Sequence, residues 1–330
     1  MIAWRLIQKQ NFTNWNALVS FLQLEQQPQV TTHFPLNLPR RLAEKIKKND
    51  PDDPILKQFL PTIQEKETTL GFVPDPVSDK TFRKSGKLLH KYTGRALLVT
   101  TSACAMHCRY CFRQHFDYQS DKGFDAEIET ISADPSLSEI ILSGGDPLSL
   151  SNETLKTLIQ ALSQIPQLKR LRFHTRFPIG IPERIDDDFL DILSTTRLQV
   201  IFVIHCNHAR ELDTHIFNAL KKISCLGIPV LNQAVLLKGV NDDLMTLKEL
   251  CETLADHGIL PYYLHQLDRV QGAAHFEVPL QRGLQLMEAL RKELSGYALP
   301  RYMQEIPGEP SKTQLHAVHG FEAEQVESLL

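Results

Sequence analysis

No long hydrophobic run occurs in this sequence. A stretch of about eighteen or more apolar residues, the length of a membrane-spanning helix, is absent from its 330 residues. The beginning of the chain is too polar for the apolar region of a signal peptide. The formal net charge is only −3, so no strong overall field attracts nucleic acid or an anionic membrane. We therefore expect a cytoplasmic protein that binds neither nucleic acid nor membrane.

Cysteine is also scarce, with six residues in the chain. Without a secretory signal, this number does not indicate a disulfide framework. A structural zinc site needs four ligands, usually supplied as two close pairs. Cys206, Cys225 and Cys251 are too scattered to provide a second pair. We expect these three cysteines to pack as small buried side chains.

The other three cysteines stand together in a CxxxCxxC pattern. Cys104, Cys108 and Cys111 lie on one short segment, with the aromatic Tyr110 directly before the third. Cysteine thiolates are the usual ligands of iron–sulfur clusters. Three of them hold three irons of a cubane and leave the fourth iron open to another ligand. The pattern therefore predicts a [4Fe–4S] cluster with an open iron where chemistry takes place.

Short apolar runs alternate with helix-length amphipathic segments from Arg95 onward. Strands are predicted at 96–100, 139–143, 169–173, 198–204, 229–236 and 259–264, and helices at 153–163, 186–195, 211–226, 243–257 and 279–294. Repeated alternation predicts parallel βαβ units, and the near-continuous apolar strands predict a sheet covered on both faces. The predicted fold class is α/β, with a partial (β/α)6 barrel as the architecture and an open doubly wound sheet as the alternative.

Three segments are expected along the chain. Residues 1–90 are predicted to form a mostly helical extension, because amphipathic pieces occur at 14–22 and 39–46. Residues 91–298 are predicted to form the partial barrel. Residues 299–330 are predicted to form a short C-terminal segment, in which an extended piece precedes the loop that carries Lys312.

Polar residues follow the predicted strands at the point where each strand ends. Gly144, Gly145 and Asp146 follow the second strand, and His174 and Arg176 follow the third. The carboxyl ends of the strands meet at one mouth in a β/α barrel, and this clustering favours the barrel over the open sheet. Two adjacent glycines let the backbone approach a ligand closely, although a plain βα turn has the same composition.

Several short segments stand out along the chain: Lys91-Tyr-Thr-Gly-Arg95, the cysteine segment, Ser143-Gly-Gly-Asp-Pro-Leu148, the segment 232–241, the segments 261–268 and 275–276, and Pro307-Gly-Glu-Pro-Ser-Lys312. Taken together, these segments resemble the lysine 2,3-aminomutase family of radical S-adenosylmethionine (SAM) enzymes. The resemblance covers about two thirds of the chain.

The resemblance implies three cofactors: the [4Fe–4S] cluster, SAM and pyridoxal 5′-phosphate (PLP). The cluster cleaves SAM to an adenosyl radical in this family. The resemblance implies cluster binding by the three cysteines, and covalent attachment of PLP to Lys312 with its phosphate on Arg95. It implies SAM binding by Gly144, Gly145, Asp146, His174 and Arg176.

The resemblance also implies an isomerase that moves the α-amino group of L-lysine to the β-carbon. Arg113 matches the arginine that binds the substrate carboxylate, which suits its planar fork of donors. Asp268 matches one of two acids that bind the distal ammonium. Glu305 stands at the position of the second acid, where lysine aminomutases carry aspartate. The two acids would repel a distal carboxylate, so a glutamate substrate is disfavoured.

Within the family, the chain resembles the bacterial enzymes that make (R)-β-lysine for elongation factor P, where a separate lysyl ligase attaches it. This resemblance implies a reductant such as flavodoxin or ferredoxin. A metabolic lysine aminomutase and a non-catalytic iron–sulfur electron carrier or sensor are the alternatives. The catabolic enzymes have a cysteine-bearing, zinc-binding tail. No cysteine follows Cys251, so that zinc site is not expected.

Overall fold

The computed structural model describes residues 3–24, 29–119 and 123–316. The strands are β1 (Leu88–Tyr92), β2 (Arg95–Thr101), β3 (Glu139–Gly144), β4 (Arg170–Thr175), β5 (Gln199–Ile204), β6 (Val230–Val235), β7 (Leu260–His265), β8 (Arg301–Gln304) and β9 (Thr313–Gln314). The helices are α1 (Ala3–Gln8), α2 (Trp15–Leu22), α3 (Arg40–Lys45), α4 (Pro54–Lys57), α5 (Asp125–Ala133), α6 (Asn152–Ser163), α7 (Phe177–Gly180), α8 (Asp187–Thr195), α9 (Thr214–Cys225), α10 (Leu244–Asp256) and α11 (Leu280–Glu293).

The strands form one sheet in which spatial order follows chain order from β1 to β9. Strands β2 to β8 are parallel, and β1 and β9 are antiparallel to their neighbours. A doubly wound sheet reverses its order at a switch point, and no reversal occurs here among the described strands. The predicted partial barrel is confirmed, and β8 adds a parallel strand to the six that the alternation predicted.

The barrel helices form as the apolar periodicity predicts. In α6, the side chains of Leu155, Leu158, Ile159 and Leu162 are buried, which is the spacing of one helical face. Ser151 caps this helix, because its hydroxyl accepts a hydrogen bond from the backbone N–H of Thr154 at 3.1 Å. The buried stripe packs the helix against the sheet and leaves the strand ends to form the mouth.

The N-terminal residues share the hydrophobic core of the barrel. Trp4 is 2% exposed and packs edge-on against Phe177, with ring centroids 5.4 Å apart. The predicted boundary at 90/91 falls inside β1, and β8 belongs to the segment predicted to begin at 299. Part of that segment, residues 317–330, lies outside the described residues. In the described part of the chain, no helix has the length and apolar character needed to cross a membrane.

Candidate active site

A cavity of about 500 Å³ extends inside the barrel from the carboxyl ends of the parallel strands to Arg95 and Glu139, the first residues of β2 and β3. All the candidate residues named from the sequence line it: Arg95, Cys104, Cys108, Cys111, Arg113, Gly144, Gly145, Asp146, His174, Arg176, Asp268, Glu305 and Lys312. The strand ends meet as they do at the mouth of a β/α barrel. Side chains that are far apart in the sequence therefore face one shared space.

The cysteine loop follows β2 and is held from the N-terminal side. The side chain of Asn11 donates to the carbonyl of Ala105 at 2.7 Å, and the backbone N–H of Arg109 donates to the carbonyl of Gln58 at 2.9 Å. The guanidinium of Arg109 is fully buried and pairs with Glu65. The N-terminal residues thus fix the backbone that carries the three thiols.

The three thiols of the loop suit an iron–sulfur cluster in which each thiolate binds a different iron. Burial raises the pKa of Cys104 well above its usual value and that of Cys111 to about 11, and metal binding is what deprotonates such thiols. In the described chain, no three His, Cys, Asp or Glu side chains are gathered closely enough to hold one ion. A cubane offers a different iron to each thiolate, so its ligands need not converge on a single point.

The two glycines after β3 pack directly on the cysteine loop. Gly145 donates from its backbone N–H to the carbonyl of Thr101 at 2.6 Å, and a Cβ on it would lie 2.7 Å from the carbonyl carbon of Ser102. Gly144 has a φ of +117°, which L side chains rarely adopt. The close approach of two backbone segments within the protein therefore already requires glycine at both positions, before any ligand is considered.

Replacing Gly145 with Ala should displace the cysteine loop, because the added methyl overlaps backbone that has little room to move. We expect a loss of about 1–3 kcal/mol of stability from this overpacking and a lower iron content after reconstitution. Urea denaturation and iron analysis measure the two effects. Gly296→Ala is the control, since a Cβ at that position would have no described atom within 4 Å. An unchanged iron content in Gly145→Ala would contradict the prediction.

Asp146 joins the ends of two strands. Its carboxylate accepts hydrogen bonds from Thr175 Oγ1 at 2.7 Å and from the backbone N–H groups of Arg176, Phe177 and Leu148 at 2.8, 3.0 and 3.0 Å. Burial nevertheless raises its pKa to about 6. Both oxygens are used within the protein, which gives Asp146 a structural role; its contact with SAM stays a prediction.

Arg176 is the centre of a buried polar network beneath the cysteine loop. Its Nη2 donates to Glu211 Oε2 at 2.5 Å and to Gln58 Oε1 at 2.7 Å. Its Nη1 donates to Cys108 Sγ at 2.8 Å and also to the hydroxyl of Tyr110. Both terminal nitrogens are thus committed to protein partners, whereas the buried Nε has none among the described residues; the contact of Arg176 with SAM stays a prediction as well.

Three histidines and Lys312 line the interior of the barrel. His174 Nδ1 lies 3.1 Å from His205 Nε2, and His265 Nε2 lies 3.3 Å from Lys312 Nζ. Burial and, for His265, the nearby Lys312 ammonium lower the pKa of these imidazoles; the pKa of His205 falls to about 3. The histidines are therefore neutral hydrogen-bonding groups around the lysine.

The two candidate acids have opposite electrostatic behaviour. Burial raises the pKa of Asp268 to about 7, with Lys312 opposing the shift. Burial also disfavours the ionised form of Glu305, but Lys312 and Lys91 outweigh it and hold the pKa of Glu305 at about 2. Glu305 lies 3.1 Å from Lys312 Nζ and 2.7 Å from Lys91 Nζ. Glu305 is thus ionised near pH 7, whereas Asp268 is half-protonated.

The two candidate arginines differ in their partners. Arg113 donates from Nε to Asp79 Oδ2 at 2.9 Å. Arg95 stacks over the ring of Tyr92, with 4.7 Å between the guanidinium carbon and the ring centroid, and it has no ion-pair partner among the described residues. A cavity-lining lysine together with an unpaired arginine fits a phosphorylated aldehyde, since arginine binds phosphate with its fixed fork of donors.

Comparison with known proteins gives the family. The chain is 41% identical over 319 residues to a protein of Haemophilus influenzae named L-lysine 2,3-aminomutase, with 94% of each chain covered. It is 44% identical to one of the same name from Escherichia coli, over 86% of this chain and 83% of the other. The chain belongs to the L-lysine 2,3-aminomutase family.

Further matches agree with this assignment. Residues 93–176 match the family model described as a 4Fe-4S single cluster domain. The aminomutase from Clostridium subterminale is 36% identical, with 81% of this chain and 65% of the other covered. A radical SAM methyltransferase from Sphaerobacter thermophilus shares the fold, with a TM-score of 0.50 at 18% identity over 66% of this chain and 68% of the other.

The aminomutase is therefore an isomerase with a radical SAM barrel. The cluster, SAM and PLP expected from the sequence are the cofactors of its family. Several residues that line the cavity of this aminomutase were given no role from the sequence: Asp79, Lys91, Tyr92, His205, Gln233 and His265. Of these, Gln233 has a buried Oε1 with no hydrogen-bond partner among the described residues, which suits a bound ligand. Gln233 lies in the segment 232–241 that carried the resemblance, so this motif could have identified it as a candidate site residue from the sequence.

Proposed function

We propose that this chain uses PLP to convert (S)-α-lysine into (R)-β-lysine, and that the product serves the modification of elongation factor P in the cytoplasm. A separate ligase would attach the β-lysine, and a reductant such as flavodoxin or ferredoxin would supply the electron. The observation that supports the proposal most is the shared cavity, which is lined by Cys104, Lys312, Arg113 and the acids Asp268 and Glu305. This set combines a ligand of the cluster that generates the radical, an amine for an aldehyde cofactor, and positive and negative side chains for the charged groups of a diamino acid.

The chain's own residues would bind and orient the substrate. Arg113 binds the α-carboxylate, and Asp268 with Glu305 binds the distal ammonium, so the carbon chain of lysine is held at both ends. Lys312 is the amine that carries PLP, and Arg95 binds its phosphate. PLP supplies the electron sink that lets nitrogen move between adjacent carbons, and the cluster with SAM supplies the radical. Such positioning accounts for much of the rate when reacting atoms are held close together.

The cavity also protects the reaction. Apolar and aromatic side chains, including Val235, Leu267, Phe112 and Tyr263, line it together with the charged groups. A site that excludes water prevents side reactions of a reactive intermediate. Neutral histidines near Lys312 add hydrogen-bonding capacity without adding positive charge that would repel the substrate ammonium.

The decisive experiment is anaerobic reconstitution of the full chain with iron, sulfide, PLP and SAM, followed by lysine turnover. Mass spectrometry with a chiral separation should show (R)-β-lysine and 5′-deoxyadenosine. Absence of β-lysine from protein with a reducible cluster would reject the aminomutase proposal. For the role in translation, elongation factor P from a deletion strain should lack β-lysine. Normal modification in that strain would favour the metabolic alternative.

Lysine binding should depend on pH through Asp268. Its carboxyl has a pKa of about 7, so it is mostly neutral at pH 6 and mostly ionised at pH 8. The ionised form attracts the substrate ammonium, and its fraction rises about tenfold between these pH values for a single group. In the loaded protein the Lys312 amine, which lowers this pKa, is bonded to PLP, so we expect the KM for lysine to fall as pH rises through 7 and above, measured at saturating cofactors. Asp268→Asn should remove this pH dependence. If the KM for lysine still falls with rising pH in that variant, the titration of another group causes it.

A further inference from the structure

Asp79 reaches the cavity from the N-terminal segment. It begins a short 3-10 turn, Asp79–Phe82, and is 4% exposed. The carboxylate of Asp75 accepts hydrogen bonds from the backbone N–H groups of Asp79 and Lys80 at 2.9 and 3.1 Å. Asp79 is therefore held by its backbone, and its carboxylate has a fixed direction toward the cavity.

The carboxylate of Asp79 determines how Arg113 is oriented. Asp79 Oδ2 accepts from Nε of Arg113 at 2.9 Å, and Nη1 of Arg113 lies 3.3 Å from the hydroxyl of Ser143. Within the described residues, Nη2 of Arg113 has no hydrogen-bond partner. Because Asp79 takes only Nε, and Nη1 uses one of its two N–H groups on Ser143, Nη2 and the second N–H of Nη1 remain to donate to a carboxylate.

The same carboxylate faces the other end of the site. Asp79 Oδ1 lies 3.6 Å from Lys91 Nζ, and Lys91 donates to Glu305 Oε1 at 2.7 Å. Glu305 in turn pairs with Lys312 at 3.1 Å. Arg113, Asp79, Lys91, Glu305 and Lys312 thus form a row of alternating charges along the cavity. In this row Asp79 lies between Arg113 and Lys91 and contacts both cations.

We propose that Asp79 is a positioning residue for substrate recognition, which orients Arg113 for the α-carboxylate and holds Lys91 beside Glu305. The inference rests on the proposed lysine aminomutase function. Both carboxylate oxygens face protein cations, so Asp79 acts through Arg113 and Lys91 and does not itself contact the substrate. A fixed guanidinium avoids the loss of side-chain rotamer freedom on binding, and so Asp79 affects affinity more than the chemical step.

The test is Asp79→Asn in the reconstituted full chain. The amide keeps the shape and removes the charge that holds Nε of Arg113. We expect the KM for L-lysine to rise about tenfold to a hundredfold, the size of one lost charge-assisted hydrogen bond, with a smaller change in kcat. Asp52→Asn is the control, because it removes an exposed acid that pairs with Lys57 outside the cavity.

A second readout separates positioning from general damage. L-lysine amide lacks the carboxylate that Arg113 binds, so wild-type protein should bind L-lysine more tightly than the amide in calorimetric titrations. Asp79→Asn should lose most of this preference. If Asp79→Asn does not fold, Asp79→Glu keeps the charge and moves it by one methylene; it should raise the lysine KM by a smaller factor at similar kcat.

The outcomes are distinguishable. Wild-type protein that fails to turn over lysine contradicts the proposed function. An active wild type with an unchanged KM and an unchanged preference for lysine over its amide in Asp79→Asn, or an unchanged KM in a folded Asp79→Glu, overturns the role of Asp79. A raised KM with a lost preference, in protein of normal iron and PLP content, supports it.

Discussion

Lys312→Ala should abolish β-lysine formation while SAM is still cleaved to 5′-deoxyadenosine. The variant lacks the amine proposed to hold PLP, and we expect isomerisation to fall by a factor on the order of 10³ or more, as for other residues that form covalent intermediates. The three cysteines are untouched, so the cluster and the cleavage of SAM remain. Mass spectrometry of both products measures the two steps in one reaction.

The structure supplies a reason to expect that this variant folds. Lys312 is at the cavity, where its ammonium lies 3.1 Å from Glu305 Oε2. Without Lys312, Glu305 keeps its partner Lys91 at 2.7 Å, so this carboxylate is not left buried and unpaired. Lys238→Ala, at an exposed lysine after β6, is the control. Undiminished β-lysine formation by Lys312→Ala would reject its proposed role.

Glu211→Ala should strongly destabilise the protein, because it leaves a buried charge without its partner. Glu211 is 0% exposed, and its side chain forms an ion pair with Arg176 at 2.5 Å. Its Oε1 also accepts from the backbone N–H groups of Asn207 and His208, both at 3.0 Å. Removing one partner of a buried pair costs about 3–5 kcal/mol. Urea denaturation of the cofactor-free chain measures the loss.

The effect should extend to the cysteine loop. Arg176 also contacts Cys108 and Tyr110. A guanidinium that loses Glu211 keeps only the uncharged Gln58 as a partner of Nη2 and is held less firmly under the loop. We expect a lower iron content after reconstitution. Glu44→Ala is a matched control, since Glu44 pairs with Arg40 at the surface, where such a pair is worth about 0.3–0.5 kcal/mol. Equal losses of stability and of iron content in Glu211→Ala and Glu44→Ala would show that burial of the Arg176–Glu211 pair does not cause the effect.

Strands and helices whose formation depends on residues close in sequence could be predicted from the sequence alone. Apolar periodicity located β2 to β7 and the helices α6, α8, α9, α10 and α11 within a few residues. The cysteine spacing predicted the cluster loop, because all three thiols lie on one segment.

Strand β8 was expected to be extended but was not predicted to join the parallel sheet. It has four residues, and the two in the middle, Tyr302 and Met303, are both buried. Four residues are too few to establish the period-two alternation by which a strand is recognised. Its place beside β7 depends on pairing between the two strands, which neither segment shows by itself.

The candidate site was predicted in part. Residues on shared motifs, such as the cysteines and Lys312, were named from the sequence, and all of them line the cavity. Asp79 and Glu211 were assigned no role, because a single acid has no distinguishing pattern. Lys91 was also assigned no role, although it opens the segment Lys91-Tyr-Thr-Gly-Arg95 that carried the resemblance. Their importance depends on burial and on partners, which a local pattern does not contain.

Periodicity and spacing over short distances were thus enough for the main strands, the barrel helices and the cysteine loop. Which charges meet is a property of the folded molecule alone. Lys91 and Glu305 are 214 residues apart, and Arg176 and Gln58 are 118 apart. Such pairs form because the folded barrel brings β1, the N-terminal segment and the ends of the parallel strands around one cavity, and burial there makes each unpaired charge costly.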